Sequence, residues 1–109
     1  MVEQILNLDT IFSSLSDPTR RDILNRVANT ELSVGELVEK YNMSFAAISK
    51  HLKVLERANL ITKRKEGNKH MVALAPHALR SADEYLEQYR QTWEQKFNKL
   101  DKLLKEEEI

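Results

Sequence analysis

The residues with the most chemistry to offer lie in the run Ser44-Phe45-Ala46-Ala47-Ile48-Ser49-Lys50-His51-Leu52-Lys53-Val54-Leu55. Ile48, Leu52 and Leu55 recur at intervals of four and three, which is one face of an α-helix. With that stripe turned to a core, Ala46, Ala47, Ser49, Lys50 and Lys53 occupy other faces. These residue types suit a helix lying in the major groove of DNA. Small side chains let the backbone approach base edges, Ala can touch a thymine methyl, Ser bonds base edges or phosphate, and Lys reaches guanine acceptors or the backbone. Ala46, Ala47, Ser49 and Lys50 are therefore the candidate base readers, and Ser44, His51 and Lys53 the candidate backbone contacts. An ordinary amphipathic surface helix has the same pattern, so the flanking elements must decide.

Upstream, Ser33-Val34-Gly35-Glu36 has the form of a capping box, in which the Ser hydroxyl accepts from the third helical amide and the Glu reaches back to the cap. It predicts a short helix from Val34 that buries Leu37, Val38 and Tyr41 and stops at Asn42, a residue type that tolerates the left-handed turn. Ser44 then caps the next helix, and the pair forms a helix-turn-helix over 34–58. Asn59-Leu60 ends the second helix by the same left-handed device. Ile61-Thr62-Lys63-Arg64-Lys65, the turn Glu66-Gly67-Asn68 and His70-Met71-Val72-Ala73-Leu74 read as a two-stranded hairpin over 61–74. A basic hairpin after a reading helix is a wing, and its Lys63, Arg64, Lys65 and Lys69 are candidate phosphate contacts.

The order Leu15-Ser16-Asp17-Pro18-Thr19-Arg20, then Ser49-Lys50-His51-Leu52-Lys53-Val54-Leu55, then a basic wing and a long helix bearing Trp93, resembles the ArsR/SmtB family of bacterial winged-helix repressors over nearly the whole chain. Where that family usually carries Gly, this chain has Asn42 and Asn59. The resemblance implies a winged helix-turn-helix repressor. Some members of the family sense metals through Cys near the helix-turn-helix or through Asp/His and His/Glu pairs on the terminal helices. That pattern is missing here: the chain has no Cys, and none of His51, His70 and His77 is followed three residues later by an acid or another His. No metal site and no cofactor are expected.

At 109 residues the chain is read as one domain, 1–109, able to bury ~65% of its unfolded surface. The absence of Cys rules out disulfide and thiol chemistry and makes the cytoplasm the natural compartment. No apolar run approaches the ~20 residues that span a bilayer. The formal net charge is zero, yet residues 44–70 hold seven Lys or Arg against two acids, leaving the remainder of the chain at −5. Positive charge is thus concentrated on the reading helix and wing.

The terminal segments supply scaffold and partner surface. Asp17-Pro18 starts the second helix with a cap and a Pro at its first position, and Ile23, Leu24, Val27 and Ala28 face the core. Arg20 and Arg21 are expected to pair with Asp17 or a nearby Glu. Ile5, Leu8, Ile11 and Phe12 give an N-terminal helix, 1–15, an apolar face. From Pro76, Leu79, Ala82, Leu86, Tyr89, Trp93, Phe97, Leu100 and Leu104 repeat at helical spacing over 76–105, ~40 Å, beyond what a globule with a ~13 Å radius of gyration can cover. The surplus calls for a second copy. The expected homodimer interface is Ile5, Leu8, Phe12, Leu79, Leu86, Tyr89, Trp93, Phe97 and Leu100. Tyr85, Tyr89 and Trp93 can line a small-molecule cavity or simply pack the dimer, and Glu106-Glu107-Glu108 reads as a frayed end.

The fold expected is mainly α with a small β-hairpin wing, a winged helix-turn-helix that dimerises through its N- and C-terminal helices. The function expected is a sequence-specific, double-stranded DNA-binding regulator, a homodimeric repressor on a pseudo-palindromic operator with half-sites ~10 bp or a multiple apart. The alternative is a winged-helix module that docks an acidic protein. An enzyme is not expected, since the chain lacks a Cys nucleophile, a Gly-rich phosphate loop and a recognisable Ser/His/acid set. A small-molecule or protein effector stays open.

Overall fold

The computed structural model describes the backbone of residues 2–107 and the side chains of residues 8–107. Along the chain run α1 (Val2–Ser14), α2 (Pro18–Asn29), β1 (Leu32–Ser33), α3 (Val34–Lys40), α4 (Phe45–Arg57), β2 (Ile61–Glu66), β3 (Lys69–Leu74) and α5 (Pro76–Glu107). The fold is the expected one, mainly helical with a hairpin wing. A two-residue strand was not foreseen: β1 pairs antiparallel with β3, so the sheet has three strands in the order β1-β3-β2. Nothing local in Leu32-Ser33 announces a strand, because the pairing is made with Val72 and Met71 far along the chain.

The helix starts follow from their caps. Asp17 accepts from the Arg20 amide at 3.0 Å with Pro18 at the first position of α2, and Ser44 accepts from the Ala47 amide at 3.1 Å to start α4. At α3 both halves of the capping box form: Ser33 Oγ accepts from the Glu36 amide, and Glu36 Oε1 accepts from the Ser33 amide. That second bond holds the Glu36 carboxyl below its ordinary pKa.

The two ends expected to turn left-handed differ. Asn59 adopts φ 59°, the Asn59 amide donates to Glu56 O, and the Leu60 amide donates to Leu55 O, with Leu55 and Leu60 both fully buried. This is a Schellman closure with its apolar contact. Asn42 has no left-handed backbone, and α3 ends at Lys40 with Tyr41 extended. The reason lies in the side chain of Tyr41. Its hydroxyl donates to Asp22 and accepts from Arg26 of α2, whose guanidinium lies 5.4 Å from the ring centre, so a tether fixes the chain direction there.

Ile23, Leu37, Ile48, Leu52, Leu55, Leu60, Ile61 and Val72 form the fully or almost fully buried centre, with Ile11, Val27, Ala78 and Ala82 around them. Ala28, expected in the core, is exposed on α2, since it lies beyond the face that Ile23, Leu24 and Val27 share. Arg20 and Arg21 do not pair with carboxylates as expected. Arg20 donates to the carbonyls of Ser13 and Ser14, and Arg21 to that of Leu15, because the carbonyls where α1 ends lie closer to them than any acid.

α5 continues through Glu106 and Glu107, so those two acids lie in the helix rather than in a frayed end; Lys105 in the last turn offsets part of their conflict with the dipole. Its 32 residues span ~48 Å, and the chain measures 66 × 35 × 21 Å with a radius of gyration of 18.8 Å. Only Ala78 and Ala82 of α5 are buried. Leu8 is buried and Leu79 packs on the core of their own chain, whereas Phe12, Leu86, Tyr89, Trp93, Phe97 and Leu100 are exposed, joined by Leu103 and Leu104. Phe12 meets Tyr85 edge-on at 6.1 Å. The Ile5 side chain lies outside the described residues. No helix among the described residues is long and apolar enough to cross a membrane.

Candidate nucleic-acid interface

α4 buries Ile48, Leu52 and Leu55 completely and leaves Ser44, Ala46, Lys50 and Lys53 exposed, with Ala47 and Ser49 half-buried at the margins. Lys50 and Lys53 carry no ion pair among the described residues, so their ammonium groups are uncommitted. The positive end of the helix dipole adds to them at Ser44.

His51 sits differently. Its side chain is only 18% exposed, with Nδ1 3.3 Å from a terminal nitrogen of Arg20 and 3.8 Å from Asp17 Oδ2. A guanidinium can only donate, so in that contact Nδ1 accepts and the ring proton resides on Nε2. Arg20 thus links the last carbonyls of α1 to the middle of α4. The Asp17 carboxyl is held below its ordinary pKa, chiefly by the Arg20 amide that it caps and also by the charge of the Arg20 guanidinium.

The wing divides its basic residues between two faces. Ile61, Lys63 and Lys65 alternate onto the face shared with Val72 and His70 across the ladder, and Lys63 lies 3.9 Å from Glu56 of α4. Arg64 faces the opposite way and is held by two carboxylates, Glu31 at 2.8 Å and Glu66 at 3.0 Å. Lys65 and Lys69 are exposed and carry no ion pair among the described residues. The sequence-predicted residues are unequally held: Lys50, Lys53, Lys65 and Lys69 form no ion pair among the described residues, while Lys63, Arg64 and His51 already have partners.

The family model described as bacterial regulatory protein, arsR family, matches residues 17–63, from the cap of α2 into β2. The chain is 43% identical over 67 residues to the arsenical resistance operon repressor of Staphylococcus xylosus, a match that covers 62% of this chain and 64% of that one. It is 44% identical over 68 residues to the HTH-type transcriptional regulator YuzN of Bacillus subtilis, covering 56% of this chain and 74% of the relative. The chain belongs to the ArsR family. An ArsR-like transcriptional regulator from Rhodococcus sp. RHA1 superposes with a TM-score of 0.77 at 25% identity, covering 96% of both chains. The relatives are named as regulators and repressors, and this ArsR-family chain spans just under two thirds of the Staphylococcus xylosus repressor's length.

Two features of this ArsR chain escaped the sequence reading. Phe45, the first residue of α4, is 61% exposed and shares a concavity with Lys69; its type gave no warning, because an aromatic at helical spacing is ordinarily core. Arg57 lies exposed in the last turn of α4, where it borders clefts shared with Thr10 of α1, and its spacing of seven from Lys50 was the signal that could have found it. Among the described residues no three His, Asp or Glu side chains gather as they would around a metal ion.

Proposed function

We propose that this ArsR-family protein is a homodimeric repressor that binds double-stranded DNA and blocks transcription by occupying a pseudo-palindromic operator. In this reading α4 of each copy lies in the major groove. Ala46, Ala47, Ser49 and Lys50 meet base edges, Ser44, His51 Nε2 and Lys53 meet the sugar–phosphate backbone, and the wing follows the adjacent backbone through Lys65 and Lys69. Lys63 and Arg64 contribute less, since each would first have to give up a carboxylate partner. The observation that carries the reading is the outer face of α4, where a capped N-terminus and small residues are followed by Lys50 and Lys53, exposed and without an ion pair among the described residues. The second copy is supported by the apolar stripe on α5, from Leu86 to Leu104, which has no cover within the chain. Names borne by relatives, such as the Staphylococcus xylosus operon repressor, favour repression over activation.

Selection of binding sites from a randomised duplex pool, at near-physiological salt, tests this directly. An inverted repeat with half-sites about 10 bp or a multiple apart is expected to be enriched. Failure of a folded, dimeric protein to enrich any sequence would instead favour a module that docks an acidic protein.

A further inference from the structure

Among the described residues, the large apolar side chains left exposed are Phe12 on α1, a stripe on α5, and Phe45. All but Phe45 lie on the terminal helices, where a second copy would cover them. Phe45 stands apart, at the start of the helix that carries Lys50 and Lys53. It follows the capping Ser44 directly and borders a concavity lined also by Gly35 and Glu39 of α3 and by Asn68, Lys69 and His70 of the wing.

Local structure does not ask for an aromatic there. Ser44 supplies the cap, Phe is a middling helix former, and a hydrophobic staple would use the residue before the cap rather than the one after it. Leaving the ring in water also forgoes the gain of burying it. A phenyl ring cannot form the hydrogen bonds by which Ser or Lys reads a base or holds a phosphate. What it can recognise in a major groove is the one apolar group there, the C5-methyl of thymine. The first turn of a recognition helix is the part that meets base edges, and Phe45 is its first residue.

We propose that Phe45 is a specificity residue whose ring packs on a thymine methyl in each half-site of the operator. The inference rests on the DNA-reading function proposed above and adds a residue and a target group to it. It is tested with the selected operator, in which thymines are replaced by deoxyuridine in symmetric pairs, one pair at a time. That change deletes the methyl and leaves base pairing intact. Affinities are measured for the wild type, Phe45→Ala and Phe45→Leu, alongside their melting temperatures.

One deoxyuridine pair is expected to weaken the wild type by about four-fold per methyl, roughly fifteen-fold for both half-sites. The same pair should leave Phe45→Ala unaffected, Phe45→Leu should retain part of the sensitivity, and all three proteins should melt together. If Phe45→Ala is as sensitive as the wild type to every deoxyuridine pair, or binds thymine and deoxyuridine operators equally more weakly because the ring rests on sugar, the inference fails while DNA reading stands. If no duplex is bound specifically, both fall together.

Discussion

Lys63, Arg64 and Lys65 are adjacent in the chain but differ in what holds them. Lys63 is drawn to Glu56, Arg64 is clamped by Glu31 and Glu66, and Lys65 has no ion pair among the described residues. A cation already neutralised gains less by moving to a phosphate. Lys65→Ala is therefore expected to weaken binding to all duplexes alike and to reduce the salt slope by about one unit for each phosphate that the dimer no longer neutralises. Arg64→Ala should leave that slope unchanged. Anisotropy titrations over a salt series separate the two, and an equal drop for both variants would contradict the assignment. Sequence could not make this distinction: it gave the type of each residue, whereas Glu31, which makes the shorter of the two contacts to Arg64, is 33 positions away on the approach to β1.

At the scale of elements, the helix-turn-helix is aimed by what ties α3 to α2. Hydrogen bonds from the Tyr41 hydroxyl and the Arg26 guanidinium hold the Asp22 carboxyl below its ordinary 3.8, and burial together with the Asp22 contact pushes the Tyr41 phenol up to about 12. A carboxyl whose pKa is lower folded than unfolded adds stability that is complete above the unfolded value and is lost as pH falls through the folded one. Tyr41→Phe should cost no more than about 1 kcal/mol near pH 7, Asp22 being half-exposed. In thermal melts that deficit should shrink as pH drops below 3.8. A deficit independent of pH would mean that the tether does not hold α3. The same tether explains what was legible and what was not. The caps at Asp17, Ser33 and Ser44 and the Schellman end at Asn59 are written in neighbouring residues, and all formed. Asn42 looks like Asn59 in sequence, but its conformation is set by contacts of Tyr41 with another helix, and β1 exists only because β3 is beside it. The outer face of α4 was legible from periodicity, whereas Phe45 was not, since its exposure contradicts its type.

At the scale of the molecule, α5 is too long for one copy. Beyond Ala82 no α5 side chain among the described residues is buried, while Trp93 and Phe97 stack at 6.1 Å and stand 54% and 58% exposed. Trp93→Glu combined with Phe97→Glu is expected to leave the fold of α2 to β3 intact, as judged by circular dichroism, and to yield monomers in sedimentation velocity. Losing the second half-site should then lower operator affinity on the order of a hundred-fold. A double variant that stays dimeric would move the interface elsewhere.

The most direct test of the central claim, that α4 of two symmetric copies reads the bases, is to repeat the site selection with Lys50→Ala. The base preference is expected to relax at one position in each half-site, the two positions being related by the two-fold axis, and to stay unchanged elsewhere. An unaltered preference, or a relaxation confined to one half-site, would contradict it.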